Sequence, residues 1–299
     1  MYKVQVLLST YNGERYLAEL INSLLEQKGV DINILVRDDG STDRTVEILE
    51  RFKETGLLDY YQGQNIKPAR SFLDLINRAG TADYYAFCDQ DDYWENCKLL
   101  RAINMINIYY NQPALYFSKA ELVDENLKPI KYSKYPKQAY TFGQALIKNN
   151  ATGCTMVFNK MLLDIVKRYN PIFVTMHDYW VYLVALAIGA KVIFDQNSYV
   201  KYRQHSNNVV GGKRKIIKEY SHKLSMLIYK NKTRSKMAVE LKKGYYDLMP
   251  EENKIIIDKI VNYNMSFKGK WDLIVDKNIK PIYLIDKITF IFAVLFGAF

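Results

Sequence analysis

Two consecutive strand–loop–helix units open this chain, and they constrain its fold more than any other feature. Residues 4–8 form a short apolar run, a polar turn follows at 9–13, and apolar residues then recur at helical spacing. The pattern repeats with an apolar run at 32–36, a polar loop at 37–43 and a second helical face that starts at Val46. Right-handed crossovers between parallel strands bring such loops to one edge of the sheet, where ligands bind. The sequence therefore predicts an α/β fold with a crevice at that edge.

A group of carboxylates follows a later apolar run, residues 84–88, which is predicted to be a buried strand. Asp89, Asp91 and Asp92 lie within four residues of one another. Because unpaired buried charge is costly, they indicate a bound cation, and alternate carboxylates supply the oxygen ligands that Mg2+ and Mn2+ prefer. The alternative is an acidic loop that caps a helix starting near Trp94, although capping needs fewer acids than this.

Four spaced motifs resemble those of the inverting nucleotide-sugar glycosyltransferases of family two. They are Thr10-Tyr11-Asn12, Asp38-Asp39-Gly40-Ser41-Thr42-Asp43, Asp89-Gln90-Asp91 and His177-Asp178-Tyr179-Trp180. The resemblance covers roughly residues 1–212 and implies a GT-A fold, in which helices flank a Rossmann-like mixed sheet. A Cys-Asp-Gln-Asp-Asp segment and Arg203-Gln204-His205 are similar to bacterial rhamnosyltransferases.

The resemblance implies a nucleotide-binding set. In it, Thr10 and Tyr11 lie against a pyrimidine base, and Asp39 accepts a hydrogen bond from the base N3–H. The alternatives without a role in nucleotide binding are a simple Asp-Gly turn for Asp39 and solvated surface cations for Lys67 and Arg70. The implied nucleotide-binding residues are Thr10, Tyr11, Asn12, Asp39, Lys67, Arg70 and Asp89.

The resemblance also implies a metal site. Asp91 is the implied direct ligand of Mn2+ or Mg2+, and His205 is the residue that completes the metal sphere. A lone histidine is usually structural or merely exposed, so this alternative for His205 stays open. The ion would bridge the two phosphates and neutralise the charge that develops on the leaving nucleoside diphosphate.

Asp178 matches the catalytic carboxylate of the family, which implies that it is the general base for the acceptor hydroxyl. Apolar and aromatic neighbours raise the pKa of a carboxylate toward the working pH, which suits that role. The alternative is N-capping of the apolar helix that follows. The implied residues of the acceptor side are Thr152, Gly153, His177 and Trp180. The mechanism that follows is a single displacement with inversion.

Composition bounds the cellular setting. With 49% hydrophobic residues in 299, the chain can bury one large core or two modest ones. Cys88, Cys97 and Cys154 fit no disulfide or zinc spacing, which favours a reducing cytosol. A strand is predicted by Val4, so we expect no signal peptide.

The positive charge is concentrated in residues 213–299. This region holds 18 Lys or Arg and 9 Asp or Glu, which gives it +9 of the net charge of +10 of the whole chain. Gly211-Gly212 marks the predicted boundary between a catalytic domain, 1–212, and a basic helical region, 213–299. An amphipathic helix is predicted at 216–228, and residues 288–299 carry no charge. Twelve residues are too few to span a bilayer, so the region is predicted to lie on an anionic membrane surface or to form a homo-oligomer. Nucleic acid is not expected, because no motif supports it.

The function predicted is transfer of L-rhamnose from dTDP-rhamnose to a saccharide or polyprenyl-linked acceptor in cell-surface polysaccharide synthesis. The protein is expected to be cytoplasmic and peripheral on the inner face of the membrane. Two alternatives stay open. One is a UDP-hexose donor, since the base-binding residues do not separate thymine from uracil, and the other is a non-catalytic nucleotide-binding or scaffold protein.

Overall fold

The structure is a computed structural model, and it describes residues 1–54, 56, 58–132, 137–205 and 232–299. Its centre is a nine-stranded mixed sheet in the order β3-β2-β1-β4-β8-β6-β9-β5, with β7 paired to β6. The strands are β1 Tyr2–Thr10, β2 Val30–Asp38, β3 Leu58–Gln62, β4 Tyr84–Asp89, β5 Tyr93–Trp94, β6 Ala114–Val123, β7 Pro129–Tyr132, β8 Val157–Asn159 and β9 Lys191–Arg203.

Helices cover the sheet. They are α1 Leu17–Leu25, α2 Thr45–Lys53, α3 Pro68–Arg78, α4 Lys98–Ile106, α5 Phe142–Ala145, α6 Lys160–Lys167, α7 His177–Ala187, α8 Thr233–Tyr245, α9 Glu251–Asn262, α10 Phe267–Val275 and α11 Leu284–Leu295. The predicted α/β architecture, a mixed sheet flanked by helices, is confirmed.

The first four strands form the parallel half of the sheet. β1 lies between β2 and β4, with Thr10 opposite Asp38 and Ser9 opposite Asp89. This register brings the loops that follow all three strands to one edge, because parallel strands end together there. The sheet edge at which these loops were predicted to meet is therefore present.

The prediction of a helix starting near Trp94 is wrong. Tyr93 and Trp94 form the short strand β5, which pairs antiparallel with Lys201 and Val200 of β9. The indole of Trp94 is buried, so tertiary pairing outweighs the helical pattern, and α4 begins only at Lys98.

The helices after residue 232 pack onto the rest of the molecule. Leu241 and Tyr245 of α8 belong to the same hydrophobic core as Phe72 of α3 and Trp180 of α7. The hydroxyl of Tyr245 also donates to the carbonyl of Val166 at 3.0 Å. A chain that ended at residue 212 would consequently expose a large apolar surface of the catalytic core.

Two further points concern this region. The amphipathic helix predicted at 216–228 lies outside the described residues. Among the described helices, none is long and apolar enough to cross a bilayer.

Candidate active site

The loops after β1 and β2 are tied together at the edge of the sheet. Asn12 adopts a positive φ of 49°, and its side-chain oxygen accepts from the backbone N–H of Thr42 at 2.9 Å. The backbone N–H of Asn12 donates to the hydroxyl of Ser41, also at 2.9 Å. Asn12 thus shapes the wall of the crevice, as its motif position suggested, through bonds made within the protein.

Asp39 lies deep in the crevice beside the buried guanidinium of Arg37, with which it forms an ion pair. Arg37 also donates to Asp74 at 3.0 Å, so two carboxylates share its charge. The second oxygen of Asp39 accepts from the backbone N–H of Ile66 at 3.3 Å. These bonds fix the carboxylate in one orientation, which is more than a simple Asp-Gly turn requires.

Tyr11 and Thr10 have different environments although they are adjacent. The backbone of Tyr11 is held by Gln90, whose amide accepts from its N–H at 2.8 Å and donates to its carbonyl at 3.0 Å. The Tyr11 ring remains half exposed and available for stacking. Thr10 is buried and donates its hydroxyl to Asp38 at 2.9 Å, and its contact with a base stays a prediction.

The two predicted phosphate-side cations also differ. Lys67 is exposed, has φ 72° and immediately precedes Pro68, the first residue of α3. Arg70 donates to the carbonyl of Pro171 at 2.6 Å and to that of Ile172. Its guanidinium therefore anchors the segment that leads to α7, and its contact with nucleotide stays a prediction.

Asp91 and His205 meet although they are far apart in sequence. Asp91 Oδ2 lies 2.6 Å from His205 Nε2, and both side chains are mostly buried. The His205 ring also lies against Tyr16, with ring centroids 5.4 Å apart. The structure thus brings together the two residues that sequence reasoning assigned to a metal ion.

The carboxylates beside this pair have strongly perturbed pKa values. Burial, and then the charges of Asp91 and Asp178, raise the pKa of Asp89 to about 7. Asp92 lies close to Asp89 and Cys154, and burial, followed by the charges of Asp91 and Asp89, raises its pKa well above the usual range. Three carboxylates so close together repel one another, and a cation would relieve this repulsion.

Arg203 locks the carboxylate loop in place, and sequence reasoning had named it only as part of a motif. Its guanidinium donates to the carbonyls of Asp91 and Glu125 and to the carboxylate of Glu19. Its carbon Cζ lies 4.3 Å from the centroid of the Tyr16 ring. One buried side chain therefore joins four separate segments around Asp91.

We expect Arg203→Met to lower the free energy of unfolding by roughly 1–3 kcal/mol, because buried carbonyls lose a charged donor. Arg203→Lys should recover only part of this, since an ammonium lacks the planar fork of a guanidinium. Urea denaturation of the three proteins measures the effect. Equal stability of wild type and Arg203→Met would show that the hydrogen bonds of Arg203 contribute nothing to the free energy of unfolding.

Asp178 lies in the first turn of α7, near Asp89. Its carboxylate accepts from the N–H of Gly153 at 3.1 Å and from that of Tyr179 at 2.6 Å. Burial raises its pKa to about 6 despite these bonds. The approach is so close that a Cβ added at Gly153 would lie 2.9 Å from His177 Nε2, which explains a glycine there. Thr152 immediately precedes this contact, and its carbonyl accepts from the Thr155 hydroxyl at 2.8 Å.

His177 and Trp180 are both buried, and their role on the acceptor side stays a prediction. The His177 ring stacks on Phe72 with centroids 3.7 Å apart and meets the edge of Phe87 at 4.8 Å. Burial lowers its pKa to about 3, so the ring is neutral. Trp180 is fully buried in the core. Both side chains therefore pack on the buried side of α7.

The donor set at Asp91 fits a divalent cation. It combines a carboxylate and an imidazole with two further carboxylates, Asp89 and Asp92, which leave excess negative charge. One imidazole among oxygen ligands suits Mn2+ or Mg2+, with donor phosphates supplying further oxygens. Among the described residues, Asp89, Asp92 and Cys154 form a group whose ligand atoms all lie within 4.8 Å of one another. A metal ion at Asp91 and His205 stays a prediction.

Comparison with known proteins gives a consistent result. The sequence profile "Glycosyl transferase family 2" matches residues 5–166. The dTDP-rhamnosyl transferase RfbG of Shigella flexneri is 32% identical over 227 residues, which cover 68% of this chain and 73% of that protein. The UDP-Glc:alpha-D-GlcNAc-diphosphoundecaprenol beta-1,3-glucosyltransferase WfaP of Escherichia coli is 24% identical over 232 residues, or 76% of this chain and 87% of that one.

Among solved structures, TarS 1-349 of S. aureus in complex with UDP-GlcNAc superimposes with a TM-score of 0.60. The match covers 96% of this chain and 78% of TarS 1-349 at 20% sequence identity. At this identity the likeness establishes the fold alone, and the fold it establishes is GT-A.

Proposed function

The chain belongs to glycosyl transferase family 2 and is a glycosyltransferase, and from this we propose that it moves L-rhamnose from dTDP-rhamnose to a lipid-linked saccharide with inversion. The observation that carries the proposal is that Asp89 lies near enough to both Asp91, which contacts His205, and Asp178 for their charges to raise its pKa. The pair Asp91–His205 supplies a place for the diphosphate, and Asp178 supplies a carboxylate with a pKa near the working pH. A scaffold protein would have no use for this arrangement.

The nucleotide is proposed to lie between Tyr11 and Asp39. The half-exposed ring of Tyr11 can stack on a pyrimidine, while Asp39, fixed by Arg37, accepts from the base N3–H. Lys67, at the start of α3, is placed to meet the diphosphate, because a helix N-terminus and a cation both favour anions. Asp89 is proposed to contact the ribose.

The metal is proposed to be held by Asp91 and His205 together with the donor phosphates. When bound, it supplies Lewis-acid stabilisation of the departing nucleoside diphosphate. Asp91 also orients His205 through their 2.6 Å contact, and Arg203 keeps the Asp91 backbone in position. These protein contacts fix the site before the donor binds.

Asp178 is proposed to accept the proton of the acceptor hydroxyl while that oxygen attacks the anomeric carbon. The N–H groups of Gly153 and Tyr179 hold its carboxylate so that it stays aimed into the crevice. Attack from the face opposite the diphosphate inverts the configuration in a single displacement. The acceptor is proposed to enter beside Thr152 and Gly153.

The pH dependence of turnover follows from the pKa of Asp178. Only the carboxylate form accepts a proton, and that form disappears as the pH falls through about 6. We expect kcat/KM to fall about tenfold per pH unit below this value and to be level above it. The pH profile of Asp178→Asn should lack this decrease at low pH. Calorimetric donor binding over the same range separates the base from protonation elsewhere, and a profile unchanged in Asp178→Asn would assign the decrease to another group.

The donor is tested by measuring nucleoside diphosphate released from dTDP-rhamnose, UDP-glucose and UDP-GlcNAc in the presence of Mn2+ or Mg2+. The proposal of dTDP-rhamnose rests on the 32% identity to RfbG, and UDP-glucose is the second candidate because WfaP uses that donor by name. Fastest release from dTDP-rhamnose supports the first candidate. Fastest release from a UDP-hexose would transfer the assignment to the second.

A further inference from the structure

Two neighbouring helices at the C-terminal end turn large apolar side chains toward solvent. On α10, Phe267, Trp271 and Val275 recur every four residues and are exposed, Trp271 to 57%. The same helix buries Leu273 completely. Residues four apart share one side of a helix, so α10 has one apolar side in the core and a second one outside.

Helix α11 repeats this arrangement. Phe290, Ala293 and Val294 are buried in the core. The exposed apolar residues are Leu284, Ile285, Ile288, Phe292, Leu295 and Phe296. Phe292 and Phe296 stack with ring centroids 6.2 Å apart. One side of α11 therefore packs into the core, and the apolar residues on its other side are exposed to solvent.

The helices are held together, since the ammonium of Lys270 on α10 donates to the carbonyl of Leu295 on α11 at 2.8 Å. We call the exposed apolar residues of α10 and α11, as named above, the C-terminal apolar face. So many large side chains exposed on adjacent helices exceed what scattered surface residues explain.

Charges around the C-terminal apolar face are predominantly positive. Asp276 and Asp286 are paired with cations from outside the segment, Lys259 and Lys148, the latter at 2.7 Å. Asp272 is exposed. Four exposed lysines form no ion pair with any described residue, and they are Lys268, Lys277, Lys280 and Lys287.

We propose that the C-terminal apolar face binds the surface of a bilayer that contains anionic phospholipid. The apolar side chains enter the boundary between headgroups and acyl chains, and the four lysines bind lipid phosphates around them. A second copy of the chain suits this face less well, because it would bring lysines against lysines. The inference goes beyond the proposed sugar transfer and does not depend on it.

Trp271 provides a direct probe. The chain has three tryptophans, and the other two, Trp94 and Trp180, are buried. Phosphatidylglycerol vesicles added to the full chain should shift its emission to the blue and protect it from acrylamide, while pure phosphatidylcholine vesicles should have little effect. Trp271→Phe should remove the shift while the protein still sediments with vesicles.

Two sets of variants test the apolar and charged parts separately. Ile288→Ser with Phe292→Ser should weaken partitioning about tenfold or more. Ile108→Ser with Tyr110→Ser, at positions elsewhere that are even more exposed, should not weaken it. Lys277→Gln with Lys280→Gln and Lys287→Gln should weaken it on the order of a hundredfold at low salt. Lys28→Gln with Lys128→Gln and Lys137→Gln is the matched control, which removes three exposed lysines elsewhere.

Three results would overturn the proposal. They are binding that the Ile288 and Phe292 changes leave unaltered, a Trp271 emission that vesicles do not shift, and a wild-type dimer that dissociates when the C-terminal apolar face is changed while vesicles are not bound. Donor hydrolysis measured without vesicles reports on sugar transfer alone, so failure of one proposal does not imply failure of the other.

Discussion

Asp91→Ala is expected to abolish sugar transfer and the metal dependence of nucleotide binding while the protein stays folded. Asp91 gives one carboxylate oxygen to the pair with His205, and its loss leaves His205 as the sole member of that pair. The fold should tolerate the change, because it also removes a charge that raises the pKa of Asp89. We expect turnover to fall by about a thousandfold or more.

Calorimetry with UDP or dTDP, with and without Mn2+, measures the binding part of this prediction. Asp164→Ala is the control, because Asp164 is an exposed carboxylate that pairs with Lys160 on α6, outside the crevice. It should bind and turn over like wild type. If Asp91→Ala bound nucleotide with unchanged affinity and unchanged metal dependence, Asp91 would not be the ligand.

Asp178→Asn is expected to leave donor binding almost unchanged and to lower kcat by about a hundredfold or more, the usual cost of losing a general base. Asparagine has nearly the same shape and can still accept from the N–H of Gly153 or Tyr179. It cannot take a proton from the acceptor. Binding and chemistry should therefore separate in this variant.

The carboxylate of Asp276, which caps a short turn outside the site, provides the control for Asp178. Asp276 accepts from the backbone N–H of Asn278 at 2.8 Å in a short 3-10 turn, and Asp276→Asn should keep full turnover. If Asp178→Asn also kept near-normal turnover and only lost stability, Asp178 would be a helix cap alone. The base would then have to be sought among other groups.

The fold was predictable because its sequence signals are local. The apolar runs at the start of the chain and the polar loops after them predict β1, β2 and the sheet edge at which their loops meet, whereas the register of Thr10 with Asp38 is known only from the structure. The start of α4 was not predictable in this way. Trp94 is drawn into a strand by β9, more than one hundred residues later in the chain.

The sequence names the acids of the proposed site, whose roles stay predictions, but it does not reveal the residues that support them. Adjacent residues on a helix point about 100° apart, so a motif that contains Asp178 does not tell whether His177 and Trp180 face the crevice or the core. The structure buries both. Arg203 joins Glu19 to Asp91 across the whole catalytic region, and no local pattern reveals such a contact.

Sugar transfer at the Asp91–Asp178 crevice is tested most directly by following, with proton NMR, the sugar released when water replaces the acceptor. In the presence of Mn2+, the account predicts that wild-type protein releases nucleoside diphosphate and sugar in equal amounts, and that the first anomer formed has the configuration opposite to that of the donor. Asp91→Ala should release neither. Retained configuration at early times, or no release from any dTDP- or UDP-sugar, would contradict the account.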